Sequence, residues 1–136
     1  LILDTNADRF LDWDDLNVEG VSVAATLGTT QETQVKQYFP AATHRIVEAP
    51  ARDFQEVLSG RADASITSNV EANKLVAQYD QLMIVPVEAG RSPTPIAMLL
   101  PQADQVWINY VNTWITLKQE QGFFDELGIK WQLLAE

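Results

Sequence analysis

The turn Gly28-Thr29-Thr30 combines residue types that suit the binding of an anion. It follows an apolar run and precedes a helical pattern, which places backbone N–H groups and two hydroxyls at the positive end of a helix dipole. A carboxylate fits this turn, because the dipole supplies only about half a charge and no P-loop lysine is present for a polyphosphate. Thr29 can also cap the helix, and capping does not prevent ligand contact.

A second polar segment, Thr67-Ser68-Asn69, follows a later strand pattern. Its two hydroxyls and one amide can hydrogen-bond to a polar ligand, although short polar residues also begin many helices. Glu71 lies in the first turn of the next predicted helix, where we expect it to face solvent and to stabilise the dipole. The predicted ligand-binding residues are Thr26, Gly28, Thr29, Thr30, Thr67, Ser68 and Asn69.

The acidic residues near the N-terminus match a calcium-binding loop only in part. Five residues have the spacing of calcium-loop ligands: Asp4, Asn6, Asp8, Asp12 and Asp15. Arg9 stands where that loop needs a glycine, and Asp15 stands where a bidentate glutamate is expected. We therefore predict a solvated acidic segment here and no metal site.

The sequence contains few of the residues and motifs that indicate an enzyme. His44 is the only histidine and has no carboxylate pattern beside it, so a structural or surface role is predicted. The motifs of α/β-hydrolases, dinucleotide-binding proteins and P-loop proteins do not occur, and the chain has no cysteine. No cofactor is predicted. Trp107, Tyr110 and Trp114 could form a stacking platform, but their helical spacing favours a buried helix face.

Composition narrows the class of protein. The 136 residues carry 19 acidic and 9 basic side chains, a net charge of −10. Such a chain lacks the basic face that nucleic-acid binding needs, and an anionic membrane surface repels it. An apolar fraction of 46% with four tryptophans predicts a folded domain. The apolar stretches fall far short of the roughly 20 residues of a membrane-spanning helix.

Strand and helix patterns alternate after Gly20 and must position these side chains. The predicted strands cover residues 21–25, 44–48, 62–67, 82–87 and 95–100, with a loop over 88–92. The predicted helices cover residues 31–38, 52–58, 70–79, 104–120 and 123–134, with Gly128 as a candidate break. Thr29 and Glu32 have the spacing of a capping box. The pattern predicts an α/β fold with a mostly parallel sheet, right-handed crossovers and helices on both faces. The strand ends at 26–30, 49–50 and 67–69 should meet at one edge.

Five segments carry a recognisable pattern in the order Trp13–Leu16, Gly20–Val23, Gly28–Glu32, Leu58–Ala64 and Gln121–Leu127. Together they resemble the bacterial family 3 extracellular solute-binding proteins, which serve ABC importers of polar amino acids. The resemblance implies a type 2 periplasmic-binding-protein fold, in which two α/β lobes close on a ligand. Residues 1–100 would be the second lobe, with interlobe crossings near 1–3 and 95–100. Residues 101–136 would be C-terminal helices that pack on the first lobe.

The resemblance also implies roles for two site residues. The threonine that matches Thr30 grips the α-carboxylate of the ligand together with adjacent backbone. The acidic residue that holds the α-ammonium in amino-acid binders falls on Ser68. A hydroxyl does not neutralise an ammonium, so ordinary amino-acid binding is in question. Asn69 or Glu71 would have to compensate, or the ligand lacks an amine.

The function implied by the resemblance is non-catalytic capture of a small carboxylate-bearing ligand, an amino acid or organic acid. The ligand would pass to the membrane subunits of an ABC importer, in the periplasm or otherwise outside the cytoplasm. One alternative is a cyclohexadienyl dehydratase acting on prephenate or arogenate, with Glu71 as a weak general acid near Ser68. Another is the sensory domain of a membrane receptor. The start at Leu1 suggests a processed, truncated or excised chain, whose exposed lobe face could promote dimerisation.

Overall fold

The computed structural model describes residues 1–87 and 97–131, and the chain divides into two compact units between residues 88 and 89. The predicted loop over 88–92, the start of the predicted strand at Pro95 and the predicted helix end near Leu134 lie outside the described residues. Residues 97–100 are described and form no strand, and Met98 and Leu99 are exposed. An extended apolar run forms a strand only where a neighbouring strand is available for hydrogen bonding. The prediction of a strand over 95–100 is therefore wrong for residues 97–100.

The described residues of the first unit form five strands, three α-helices and two short 3-10 helices, at Asp4–Asn6 and Asp14–Leu16. The strands are β1 (Ile2–Leu3), β2 (Ser22–Thr26), β3 (Thr43–Val47), β4 (Ala64–Ser65) and β5 (Leu82–Met83). The α-helices are α1 (Thr30–Tyr38), α2 (Asp53–Leu58) and α3 (Asn69–Gln78). Each predicted helix of this region is present. The strands predicted over 62–67 and 82–87 are shorter than expected, because only two residues of each pair with a neighbour.

The five strands form one mixed sheet in the order β3-β2-β4-β1-β5. The β2 strand pairs in parallel with β3 and β4, and β1 is antiparallel to both β4 and β5. Four strands therefore run in one direction, as the alternating pattern predicts. The position of β1 inside the sheet, between β4 and β5, is not predicted by the sequence, because two apolar residues give no periodic signal. Ile2 is fully buried, and Leu1 and Ser65 exchange hydrogen bonds of 2.7 and 2.8 Å.

Two hydrophobic clusters cover the two faces of the sheet. Successive residues of β2 alternate between them, so that Val23 and Ala25 belong to one cluster and Ala24 to the other. The first cluster joins the sheet to Val35 of α1 and to the N-terminal segment, where Phe10 is 1% exposed. The second cluster joins it to α2 and α3. Helices therefore pack on both faces, as the sequence predicts.

The second unit contains α4 (Gln105–Glu120) and α5 (Phe123–Lys130). Trp114 makes edge-on contacts with Phe123 and Phe124, with ring centroids 6.1 and 6.2 Å apart. Gly122, at φ +70°, makes the bend between the two helices. Gly128 is buried inside α5 and does not break it. None of the helices described is both long enough and apolar enough to span a membrane.

Part of the apolar stripe of α4 is exposed. Val111 is buried, but the side chains of Val106, Trp107 and Tyr110 are largely accessible, and Trp107 stacks on Tyr110 with centroids 5.5 Å apart. The prediction that Trp107 and Tyr110 lie on a buried face is therefore wrong for this chain. The described residues place nothing over that part of the helix.

Candidate ligand-binding site

The carboxyl ends of β2, β3 and β4 lie at the same edge of the sheet. Thr26 stands opposite Val47, and Ala24 stands opposite Ser65 in the parallel registers. The Leu27 N–H donates to the Val47 carbonyl at 2.8 Å and the Ile66 N–H to the Ala24 carbonyl at 3.1 Å, which extends both pairings past the strands. The predicted convergence of the three loop segments follows from this register. The predicted site residues after β2 and β4 are brought to adjacent strand ends.

The turn before α1 is held by contacts that differ from the predicted capping box. Thr29 is the N-cap residue, but its hydroxyl donates to the Thr26 carbonyl at 2.6 Å and caps no helical N–H. The Glu32 carboxylate accepts from the Gly28 N–H at 2.9 Å, one residue before the position that a capping box uses. The hydroxyl of Thr29 is used to tie the turn back to β2. The reciprocal box is therefore absent from this turn.

The start of α1 keeps the features of an anion site. Its first N–H groups have no partner within the helix, and Thr30, the first helical residue, is exposed. Lys36 pairs with Glu32 at 2.7 Å, and this hydrogen bond together with that from Gly28 lowers the pKa of Glu32. The acid beside the turn is therefore balanced by a lysine. The N–H of Gly28 is bonded to Glu32 and is not free to bind a ligand. Gly28 instead allows the turn to adopt a backbone φ of +75°.

The start of α3 brings together the second set of predicted residues. Ser68 is the N-cap, and its Oγ accepts from the Glu71 N–H at 3.2 Å. The Thr67 hydroxyl donates to Glu71 Oε2 at 2.7 Å, while Glu71 Oε1 pairs with Arg52 from the loop before α2. Asn69 begins the helix and is exposed. The side chain of Glu71 is 38% exposed, in line with the expectation that it faces solvent, but both of its carboxylate oxygens are also engaged.

Two charged residues at this edge were missed by sequence reasoning. Arg52 was treated only as the start of a helix, and its ion pair with Glu71 joins residues 19 apart. Asp53 is 6% exposed, and burial raises the pKa of its carboxyl. An aspartate at a helix start is usually solvated. The only feature of the sequence that indicates a place for Asp53 at this edge is its position close to the predicted strand end at 49–50. The carboxyl lies close enough to Glu71 of α3 and to the Leu1 amino group for the charges to interact.

The resemblance motif around Arg61 and Asp63 has a structural role. Arg61 pairs with the buried Glu56 of α2 at 2.7 Å. The Asp63 carboxylate accepts from the backbone N–H and the hydroxyl of Ser22 at 2.8 and 2.9 Å, and pairs with Arg9. These contacts fasten β4 to β2 and to α2, away from the carboxyl edge. The motif therefore shapes the fold that presents the site.

The other candidate residues lie elsewhere. His44 donates from Nε2 to the Phe39 carbonyl at 2.8 Å, a structural contact. In the acidic N-terminal segment, Asp12 Oδ1 and Asp15 Oδ2 each accept from two backbone N–H groups. Within residues 1–87 and 97–131, no group of three or more histidine or acidic side chains is placed to hold a metal. These carboxylates act as turn caps.

Comparison with solved structures adds evidence on ancestry. The ancestral cationic amino acid solute-binding protein AncCDT-1 is 36% identical, with a TM-score of 0.78, over 97% of this chain and 56% of its own. A second structure of AncCDT-1, described as an ancestral amino acid-binding protein and a precursor of cyclohexadienyl dehydratase, is 34% identical with a TM-score of 0.74, again over 97% of this chain and 56% of its own. The chain is related to the family 3 solute-binding proteins. The predicted resemblance is confirmed.

The fold of the chain is that of the type 2 periplasmic binding proteins. A candidate ABC-transporter binding component from Wolinella succinogenes, complexed with lysine, has a TM-score of 0.80 over 98% of this chain and 57% of its own. Its identity of 22% supports the shared fold alone. This chain spans about half the length of these solved relatives. No protein-family model matches it, and no curated protein matches it.

Proposed function

We propose that this chain is the second, ligand-gripping lobe of a family 3 protein that captures a small carboxylate-bearing solute. The observation that carries the proposal is the meeting of two helix starts, those of α1 and α3, at the ends of adjacent parallel strands β2 and β4. Backbone N–H groups and the Thr30 hydroxyl would hold the carboxylate at the positive end of α1. Thr26 and Thr29 would shape this turn, while Thr67, Ser68 and Asn69 would contact the rest of the ligand.

The ligand class follows from chemistry and from the relatives. A single helix start without a lysine favours one carboxylate over a polyphosphate. The relative at 36% identity is described as a cationic amino acid solute-binding protein, so basic amino acids are the first candidates. Organic acids of similar size are the alternative. Residues 101–136 would pack on a first lobe, and the two lobes would close around the ligand. The complete protein would deliver it, outside the cytoplasm, to the membrane subunits of an ABC importer.

The test is a thermal-shift screen of the complete natural chain with the twenty standard amino acids, succinate, citrate and prephenate. A ligand that binds only the folded state raises the melting temperature, by an amount that grows with its concentration. We expect one amino acid or small organic acid to give such a shift. We also expect Thr30→Val to remove it, because the hydroxyl at the start of α1 is lost. If no compound in the screen raises the melting temperature, or if Thr30→Val shows the same rise as the natural chain, the proposed site is contradicted.

A dehydratase is the second candidate function. An ancestral cyclohexadienyl dehydratase carrying the substitution P188L is 33% identical to this chain, with a TM-score of 0.60, over 98% of this chain and 55% of its own. A general acid would be needed near the ligand, and Glu71 is the carboxyl at this strand end. Turnover of prephenate or arogenate by the complete chain without added cofactor would establish this reading. Binding of prephenate or arogenate without turnover would contradict the dehydratase function and favour solute binding for transport.

A further inference from the structure

Two arginine side chains meet on one carboxylate of α2. The side chain of Glu56 is only 7% exposed. Its Oε1 atom accepts from Arg61 Nη2 at 2.7 Å, and its Oε2 atom accepts from Arg61 Nε at 3.0 Å and also from Arg45 Nε. Because both Nε atoms bond to the same oxygen, the two guanidinium groups lie next to each other.

The elements that carry the two arginines bring them together from different parts of the fold. Arg45 belongs to β3, the last strand at one side of the sheet. It stands opposite Ala24 in the parallel register, so its side chain lies on the sheet face that α2 covers. Arg61 follows the end of α2, where its backbone N–H donates to the Glu56 carbonyl at 2.8 Å. Neither arginine belongs to the loops at the carboxyl edge.

This group of three side chains carries an excess of positive charge. Hydrogen bonding to Arg61, and then to Arg45, lowers the pKa of Glu56 to about 2, so the carboxylate is ionised at pH 7. The same carboxylate raises the pKa of Arg61. Two guanidinium groups and one carboxylate leave a formal charge of +1. On a chain with a net charge of −10, this is a local site where an anion would be stabilised.

Both guanidinium groups also keep accessible donors. The side chain of Arg45 is 44% exposed and that of Arg61 is 54% exposed. Within residues 1–87 and 97–131 their side chains hydrogen-bond only to Glu56, which leaves most of the five N–H donors of each guanidinium unused. The planar fork of a guanidinium matches the oxygens of a phosphate group, and it can donate to two of them at once.

We propose that Arg45 and Arg61, held next to each other by Glu56, bind a phosphate group at the surface of the protein. The oxygens of a phosphate can accept from both guanidinium groups, and its negative charge matches the local excess. Arg9 provides the contrast, because this 50% exposed arginine pairs with one carboxylate, that of Asp63. Inorganic phosphate and the headgroup of a phospholipid share the chemistry of the ligand. The proposal does not depend on the function assigned to the carboxyl edge.

Nuclear magnetic resonance titration of the complete natural chain with inorganic phosphate tests this site, with sodium chloride at the same ionic strength as the reference. We expect the Nε–H signals of Arg45 and Arg61 to shift along a saturable curve, while the signal of Arg9 stays in place. Arg45→Gln should raise the Kd for phosphate about tenfold or more, because a charge-assisted hydrogen bond is lost while Arg61 still pairs with Glu56. Arg9→Gln is the matched control and should leave the Kd unchanged.

Phosphatidylglycerol vesicles distinguish the two sources of the phosphate group. Saturable shifts with inorganic phosphate assign a free anion as the ligand, whereas co-sedimentation with vesicles alone, lost in Arg45→Gln, assigns a lipid headgroup. Equal shifts of all three arginines would show charge screening and would overturn the proposal. An unchanged Kd in Arg45→Gln, or no binding to either probe, would also overturn it. These results leave the solute-binding function of the carboxyl edge unaffected, since the amino acid screen tests that function separately.

Discussion

Gly28 holds the turn before α1 with a backbone φ of +75°, a region that side chains disfavour. No atom lies within 4 Å of the position that a Cβ would take, so a substitution is opposed by backbone strain and not by crowding. We expect Gly28→Ala to lower the free energy of unfolding by about 1 kcal/mol, and Gly28→Asn to cost less. Urea unfolding measures both. Equal stability of all three proteins would mean that the turn adopts another conformation.

Ser68 is a second residue with a local structural role that can be measured. Because its hydroxyl caps the Glu71 N–H, Ser68→Ala should cost about 1 kcal/mol of stability, while Ser68→Asp should keep most of it. Thr29→Ala removes no helix cap, and its effect reports the hydroxyl bond to Thr26 instead. Chemical denaturation of the three variants gives the comparison. A Ser68→Asp protein as unstable as Ser68→Ala would show that the cap contributes little.

Glu56 makes stability depend on pH. Hydrogen bonding to Arg61, and then to Arg45, lowers its pKa from 4.5 to about 2. A lowered carboxyl pKa stabilises the folded state above pH 4.5, and that contribution is lost as the pH falls towards 2. We expect Glu56→Gln to cost about 1 kcal/mol at pH 7, since both arginines are half-exposed, and to flatten the stability profile between pH 4.5 and 2.

The remaining slope in the Glu56→Gln protein has an expected source. Burial of Asp63 opposes its ionisation, but the hydrogen bonds from Ser22 and Arg9 outweigh this and lower its pKa. Part of the acid sensitivity should therefore persist until Asp63 is also replaced. Glu126→Gln serves as the control with an unchanged profile. A Glu56→Gln profile identical to that of the natural chain would contradict the assignment.

At the scale of elements, the N-terminal segment is anchored to the sheet by apolar side chains. Phe10 is 1% exposed and packs in the cluster with Val35 and Phe39, whereas its neighbour Leu11 is 67% exposed. We expect Phe10→Ala to cost about 3–5 kcal/mol and Leu11→Ala to cost less than about 0.5 kcal/mol. Thermal unfolding of the two variants makes the comparison. Similar effects would mean that the segment does not form part of the core.

The apolar stripe of helix α4 is only partly buried, and this matters at the scale of the whole molecule. Val111 is buried and Trp114 contacts Phe123 and Phe124 of α5, whereas Val106 is 82% exposed. If residues 101–136 pack on a first lobe, as we propose, Val106→Glu in the complete natural chain should cost about 2 kcal/mol, since it places a charge in an apolar contact. Asn112→Glu, on the polar side of the same helix, should cost less than about 0.5 kcal/mol. Equal small effects, measured by urea unfolding, would contradict that packing.

The sequence predicted every element whose signal is periodic and local. The three helices of the first unit and the course of β2 and β3 follow from apolar spacing and small polar residues. The direction of four strands follows from the alternation of strand and helix, because a crossover helix returns the chain to the same edge. Strand ends then meet at that edge, which is why the positions of Thr26–Thr30 and 67–69 could be inferred.

The tertiary structure decided what depends on partners distant in sequence. β1 is a strand only because β4 and β5 are available on either side of it. Glu71 is held at the carboxyl edge of the sheet because Arg52, 19 residues earlier, reaches it from another loop. Asp53 is buried in the folded chain, where its charge interacts with Glu71 and with the Leu1 amino group, and no pattern around residue 53 predicts either neighbour. The sequence by itself determined the fold class and the strand ends that meet at one edge of the sheet, where we propose that a ligand binds. The charges at that edge were decided by long-range packing, since a side chain's ionisation and contacts depend on neighbours that only the folded chain brings together.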